Sequence, residues 1–512
     1  MNSFLKERAL SRFLLTMVLV TLHDVWAVAA LPDEASRTPL VRVVDLRVNE
    51  AQTVRLCDGS TAEVRLVGVE ETEDAVCSAV RKAKVKVEVN GQPITLVSAT
   101  YHLPVTVSGV QVDCPITKGY LAKSHQDAWG LVKDARLRLW PAGSPLMAPG
   151  TFVYPVKQRW FASDTQMANE PTFVDGGEEP SRGRIYYHDG LDFGGAEGMV
   201  EVVAGTDGLV ISAGTASLPG QEGTPVSPRY DVVYVRDDRG WTYRYSHLQT
   251  IDPKMRPGVN VKMGQKVGVL GKEGGSGGWS HLHFDIKSRQ PSGKWGTQAA
   301  YAFTWEAYRR QYAPPLVAVA RPHYLAWLGQ PVRLDGTRSW SDSGKIVRYE
   351  WTFTDGSKAS GSRVEPTYTR AGTYSEILKV TNERGDVDYD FAVVQIIDKS
   401  QPERVPPSIH AVYAPTFGIE PGEAITFKVR TFRTTAGSER WDFGDGSPRV
   451  TVKSDGNVNP HAKDGYAVTV HRYKKAGDYV VRVERSDEHG LKAIGHVHVR
   501  VGGDDGDEAA GR

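Results

Sequence analysis

Cysteine is scarce in this 512-residue sequence: Cys57, Cys77 and Cys114 are the three, all in one N-terminal stretch. They are widely spaced and no CxxC occurs, which argues against a thiolate metal site. In an oxidising compartment two of the three could pair and leave one over, in any of the pairings open to them. Net charge is nearly absent too, since 62 Lys and Arg face 61 Asp and Glu to give +1. That balance supplies neither the global basic field of a nucleic-acid binder nor a polyanion. There is no HExxH, which removes the helix-borne glutamate base of one large class of zinc hydrolases. No pair of carboxylates suited to cutting a glycan strand is apparent. Long apolar runs are missing as well. The run at residues 13–22 is shorter than the roughly 20 residues that a bilayer-spanning helix needs.

That run fits an export address instead. Lys6, Arg8 and Arg12 make the start basic despite Glu7, and Ala27-Val28-Ala29 reads as an A-x-A cleavage site. Residues 1–29 are therefore expected to be a signal peptide, with an uncleaved anchor as the alternative. No cysteine follows the cleavage point, which argues against a lipoprotein. Cleavage removes three basic and two acidic residues (Asp24 is the second) and leaves a formally neutral chain. The expected product is secreted or periplasmic, with no transmembrane anchor.

Glycine and proline are abundant, at 52 and 29 residues in a chain that is 40% hydrophobic. This composition suits several strand-rich domains, and the length allows three or more. Mainly β, multidomain architecture is the expectation. Residues 31–145 read as an all-β domain of unknown type. Val85 to Val89 alternate apolar with polar, and Asn90-Gly91 offers a hairpin turn before Ile94-Thr95-Leu96-Val97. This domain could cover a site as a propeptide does, or be a plain binding or packing domain. His102 and His125 lie here and read as ordinary surface or core residues. A linker rich in Pro, Gly and Ala occupies residues 141–149.

The chemistry sits in histidines divided among three segments: His188-Asp189-Gly190-Leu191-Asp192, then Ser246-His247-Leu248, then His281-Leu282-His283. Imidazole and carboxylate are the usual nitrogen and oxygen ligands of a catalytic zinc. On a strand, His281 and His283 share one face while Leu282 points the other way into a core. His188 and Asp192 would lie roughly 13 Å apart on a straight strand. A kink at the turn dipeptide Asp189-Gly190 would bring them together. A glycine-rich stretch, Gly274-Gly275-Ser276-Gly277-Gly278, runs into Trp279-Ser280-His281.

HxxxD, a later single His, and HxH behind a Gly-rich loop stand here in that order. On these motifs residues 150–311 resemble the lysostaphin/LytM-type zinc metallopeptidases of the M23 family. Val203-Ala204-Gly205-Thr206-Asp207-Gly208 followed by Ala213-Gly214 resembles the family's first core hairpin. The resemblance implies an antiparallel β peptidase domain holding one Zn2+ on His188, Asp192 and His283. It implies that His247 and His281 flank the attacking water, one as base and the other as oxyanion partner. The Gly-rich stretch would be a flexible groove wall. Tyr186, Tyr187, Tyr243, Tyr245 and Trp279 are either groove liners or ordinary strand residues.

The last third repeats a pattern. Tyr349-Glu350-Trp351-Thr352-Phe353-Thr354-Asp355-Gly356 answers to Trp441-Asp442-Phe443-Gly444-Asp445-Gly446. Ala371-Gly372-Thr373-Tyr374 answers to Ala476-Gly477-Asp478-Tyr479. Both copies resemble the PKD domain, an immunoglobulin-like β-sandwich, over residues 314–400 and 405–502. The first copy departs at Thr352 and Thr354, where Asp and Gly would be expected. Trp and Phe would be core and Asp-Gly turn residues. His323, His410, His461, His471, His489, His496 and His498 read as structural, with His496 and His498 exposed on a strand. Residues 503–512 read as an acidic disordered tail.

These readings converge on an exported zinc endopeptidase that cuts peptide cross-links of bacterial cell-wall peptidoglycan. One alternative is a non-catalytic wall-binding or activator protein of the same fold. Another is a secreted protease acting on Gly-rich proteins. Peptidoglycan peptides are the expected partner, with wall polymers or surface proteins as candidates for the sandwiches and no nucleic acid. The sandwiches are expected to fold separately and to be dispensable for cleaving a small peptide.

Overall fold

The computed structural model describes residues 38–98, 100–124, 127–171 and 185–502. The expected signal peptide, the acidic tail and His125 fall outside the described residues. What is described is nearly all β, in a succession of packed sheets.

The N-terminal part stacks two four-stranded sheets. One is an antiparallel meander of Ala51–Arg55, Thr61–Glu73, Val80–Val89 and Gln92–Ser98. Val89 pairs directly with Gln92, so Asn90-Gly91 is a two-residue hairpin turn. The alternation read from the sequence buries Val85, Val87 and Val89 against Val112, Leu137 and Leu139 of the other sheet. The three cysteines form no disulfide with one another. Cys114 is buried in this core, and burial pushes its thiol up to about 12.

The central part is built on a long antiparallel sheet. Its neighbours run in the order Gly208–Ala213, Val233–Arg236, Thr242–Ser246, His281–Arg289, Leu191–Gly194 and Thr165–Gln166. Leu282, Phe284 and Ile286 point into the core beneath it, together with Tyr243, Tyr245 and Phe193. One helix, Tyr301–Tyr312, closes that core with Phe303, Trp305 and Tyr308. Ala313 ends it in the left-handed conformation, its N–H donating to the Arg309 carbonyl, and Pro314 follows.

Two β-sandwiches follow, each with its own core, centred on Trp351 and on Trp441 with Phe443. Both tryptophans are fully buried, as the alternating pattern requires. The copies differ at the turn. In the first, Thr354 stands where Gly444 stands in the second, and its N–H and hydroxyl both donate to Glu376. The sandwiches are also joined. Gly372–Asn382 pairs in parallel with Lys492–Val501 at Gly372–Lys492 and Thr373–Ala493, making one continuous sheet. This join corrects the expectation for His496 and His498. His498 is buried between the copies, its Nε2 2.7 Å from Asp478 and its Nδ1 3.5 Å from Asp388. His496 is half-buried and stacks on Phe391.

Candidate metal centre and active site

The five histidines and aspartates singled out by spacing converge. His188 is delivered by residues 185–190, which run irregularly up to the strand Leu191–Gly194. The bend at Asp189-Gly190 brings His188 Nε2 to 3.0 Å from Asp192 Oδ1. Gly190 is needed there, because a Cβ on it would stand 2.8 Å from His283 Cε1 and 2.9 Å from the Phe284 carbonyl. Asp192 lies directly opposite His283 across the strand pair, and Ser246 lies opposite His283 on the other side. That register places His247, at the end of its strand, beside the pair.

Three donor atoms from three chain segments form a small triangle. His188 Nε2 to His283 Nδ1 is 2.8 Å, His283 Nδ1 to Asp192 Oδ1 is 2.9 Å, and Asp192 Oδ1 to His188 Nε2 is 3.0 Å. The ligands of a tetrahedral zinc, with bonds of about 2.0–2.1 Å, stand about 3.3 Å from one another. The residues present fit such an ion. Asp189 also brings a carboxylate within 4.8 Å of the ligand atoms of His188 and His283. It is the weaker candidate, because Lys287 Nζ already holds it at 2.7 Å. Among the described residues Asp192 has no Lys or Arg partner of that kind, and it lies 3.0 and 2.9 Å from the His188 and His283 imidazoles.

Outer partners fix both imidazoles. His188 Nδ1 faces the Met167 carbonyl at 3.3 Å, and His283 Nε2 faces Asp285 Oδ2 at 3.2 Å. Each thus keeps its other nitrogen for the triangle. The electrostatics favour a cation at this point. Burial would lower His283, but hydrogen bonds and charge from Asp192 and then Asp285 raise it to about 9. Burial would raise Asp192, yet the His188 and His281 charges hold it well below the usual carboxylate range.

The remaining two imidazoles flank the triangle. The His247 and His281 rings are 4.6 Å apart, and His247 is 6.0 Å from His283. His281 Nδ1 bonds the Trp279 carbonyl at 3.0 Å, leaving Nε2 free of that bond and 3.5 Å from Asp192 Oδ2. His247 Nδ1 bonds the Glu273 carbonyl at 2.6 Å. A carbonyl only accepts, so both rings carry their proton on Nδ1 and expose the Nε2 lone pair. Burial, the largest influence on each, lowers His247 and lowers His281 further. His247 also has a φ of 66°, an uncommon conformation for a histidine, fixed by its N–H donating to Asp231 at 3.0 Å. None of the five residues is more than 6% exposed.

Of the two readings open for the aromatics, the structure favours ordinary buried residues, and it corrects that of the Gly-rich stretch. Tyr243 and Tyr245 are core, not groove liners, and Tyr187 is buried with its hydroxyl accepting from the Val80 N–H at 2.7 Å. Tyr186 is half-buried. Trp279 is fully buried and stacks on His281. The Gly-rich stretch is not a free wall, since its carbonyls are bound by the second sandwich. Spacing alone missed Asp285 and Asp231. Asp285 was findable as the next residue on the same strand face, H-x-H-x-D. Asp231 leaves no such signal, because strand pairing alone brings it to His247.

Comparison with known proteins agrees with the geometry. Residues 186–294 match the profile of peptidase family M23, and residues 312–396 and 410–500 each match a PKD domain. Among curated proteins, the collagenase ColA of Clostridium perfringens is 29% identical over 69 residues, 14% of this chain and 6% of that protein. The dyslexia-associated protein KIAA0319 homolog of Rattus norvegicus is 25% identical over 171 residues, 31% of this chain and 15% of that one. The chain thus spans only a small part of the curated relatives it matches. Among solved structures, the catalytic domain of a mutant of the prophage-encoded M23 protein EnpA from Enterococcus faecalis is 22% identical. It covers 26% of this chain and 85% of that one, with a TM-score of 0.18. The PKD domain of the KIAA 1837 protein is 29% identical over 16% of this chain and 87% of that one, with a TM-score of 0.15. The chain carries an M23 peptidase domain followed by two PKD domains. Among the described residues no helix is long and apolar enough to cross a membrane.

Proposed function

We propose that the protein is an exported zinc endopeptidase that hydrolyses peptide cross-links of bacterial cell-wall peptidoglycan. The observation that carries the proposal is the triangle of His188 Nε2, Asp192 Oδ1 and His283 Nδ1, with two further imidazoles beside it. In this reading those three residues hold the ion. A bound zinc supplies Lewis acidity, bringing the pKa of water toward 7 and polarising the scissile carbonyl.

The other residues then have definite tasks. His281, with its proton on Nδ1, takes a proton from the attacking water at Nε2. His247 would take up a proton from solvent at Nε2 as the substrate binds and then donate it as a hydrogen bond to the oxyanion of the tetrahedral intermediate. Asp231 orients His247 by holding its backbone N–H, and Asp285 fixes the tautomer of His283. Family resemblance supports wall peptides as the substrate, and residues 1–29 support export. The sandwiches would add attachment to wall polymers or surface proteins through multivalency.

The test is incubation of the full chain with purified sacculi, read by mass spectrometry of the released products. New amino termini within stem peptides or bridges are expected, with intact glycan strands. His281→Ala and His247→Ala should keep their zinc and slow turnover by about 10²- to 10⁴-fold. Ready cutting of a Gly-rich protein with untouched sacculi would replace the substrate. Tight binding without any cutting would make the protein a non-catalytic wall binder.

A further inference from the structure

Residues 274–278 hold four glycines and one serine, so the loop before His281 has almost no side chains of its own to pack. Glycine also loses the most conformational freedom on ordering. Yet this loop must set the position of His281 closely. The second sandwich supplies what the loop lacks. Arg430, itself fully buried, donates from Nη1 to the Gly278 carbonyl at 2.6 Å. Asn457 Nδ2 donates to the Gly277 carbonyl at 3.0 Å. A Cβ on Gly278, whose φ is 91°, would stand 2.0 Å from Asn457 Oδ1. The Ser280 N–H donates to the Tyr466 hydroxyl at 2.8 Å. At the near end of the loop, Lys428 donates to the carbonyl of Glu197, whose side chain pairs with buried Lys272.

The hydrogen bonds have one consistent direction. Tyr466, accepting from Ser280, donates to His410 Nδ1 at 2.7 Å. His410 Nε2 then donates to Ser163 Oγ at 3.1 Å, and Ser163 donates onward to the Ala411 carbonyl at 2.8 Å. Such a chain needs a neutral His410, and burial lowers its pKa to about 3. Ser163 immediately precedes the segment that pairs with Asp192, since Gln166 lies opposite Asp192. The relay therefore ties the loop before His281 to the strand beside Asp192 by way of the second sandwich.

The tie ends on the imidazole. Trp279 packs on Phe432 of the second sandwich and meets His410 edge-on at 5.2 Å. It also stacks on His281 at 3.9 Å and 17°. Its carbonyl accepts the His281 Nδ1 proton. We infer that the second sandwich is a positioning element of the hydrolytic centre, with Tyr466, Arg430 and Asn457 holding the 277–280 loop so that Trp279 fixes the ring and tautomer of His281. The inference rests on the proposed role of His281. It revises the expectation that both sandwiches are dispensable for small-peptide cleavage.

The test compares Tyr466→Phe and Asn457→Ala with Trp441→Phe in the full chain. Trp441→Phe weakens the same sandwich without touching the loop. Amide exchange at Ser280 and the imidazole ¹⁵N shifts of His281 are followed by NMR, alongside kcat, KM and zinc content on a small peptide. In Tyr466→Phe, Ser280 exchange should rise and kcat should fall, each by about tenfold, the size of one hydrogen bond. The His281 shifts should move toward a tautomer average, while KM and zinc stay unchanged. Asn457→Ala should act in the same direction. Trp441→Phe should lower Tm and move none of these. Unchanged Ser280 exchange in Tyr466→Phe overturns the inference, as does an unchanged kcat once that amide is freed. A wild-type chain that cuts no peptide overturns the peptidase reading instead. Ser280 exchange and the His281 shifts then still decide whether the sandwich holds the loop.

Discussion

The two sandwiches share a fold and a buried tryptophan, yet they meet the peptidase domain differently. The first reaches it through Arg321, whose Nη2 donates to the Ser163 carbonyl at 2.9 Å and whose guanidinium lies 4.3 Å over Phe161. Those are attachments to a segment beside the sheet. The second reaches Gly277, Gly278 and Ser280, directly before the residue that the proposal makes a base. In the second copy Arg430 and Tyr466 are among the side chains that make this contact. Fold alone therefore does not say whether a PKD domain is a spacer or part of a site.

Removing each core tryptophan tests this most severely. Trp351→Ala and Trp441→Ala should each cost about 3–5 kcal/mol and loosen their own sandwich. Only Trp441→Ala should take small-peptide turnover with it. Equal losses of turnover would erase the distinction. A smaller contrast lies in two ion pairs. Arg430 grips Asp455 through two hydrogen bonds at 2.9 and 2.6 Å from a fully buried position, so Arg430→Met should cost about 3 kcal/mol in thermal unfolding. Arg363 meets Asp335 at 2.9 Å while half exposed, so Arg363→Met should cost less than about 1 kcal/mol.

The smallest effect depends on pH. Burial raises Glu376 in the first sandwich from 4.5 to about 7, against the opposing hydrogen bonds from Thr354 and Tyr368. A carboxyl raised on folding favours the folded state while it is protonated. Its contribution is full below about pH 4.5 and is lost as pH rises through about 7. The first sandwich should therefore lose Tm across that window, and Glu376→Gln should flatten the slope. The second sandwich has no such slope from this position, since Val481 stands there in place of Glu376. A slope that persists in Glu376→Gln would assign it to other groups.

Much of this was legible in the sequence, for physical reasons. The i, i+2 spacing of His281 and His283 fixes a shared strand face. Asp189-Gly190 marks the bend that joins His188 to Asp192. Trp441 and Phe443 alternate as core residues must. The supporting contacts were not legible. Tyr466 and Ser280 are far apart in sequence and meet only because separate domains dock. His410 resembles any buried histidine until its two partners are seen. The Gly-rich stretch reads as flexible because its stiffness comes from Arg430 and Asn457. His496 and His498 read as exposed because their strand pairs with another domain's sheet.

The proposed hydrolysis depends on one metal held by two imidazoles and a carboxylate. Zinc analysis with X-ray absorption at the zinc edge, on the full chain and on His283→Ala, tests it most directly. About one zinc per chain is expected, with two nitrogen ligands near 2.0–2.1 Å and the rest oxygen, and His283→Ala should lose it. A native protein without zinc, a sulfur ligand at about 2.3 Å, or full retention in His283→Ala would contradict the account.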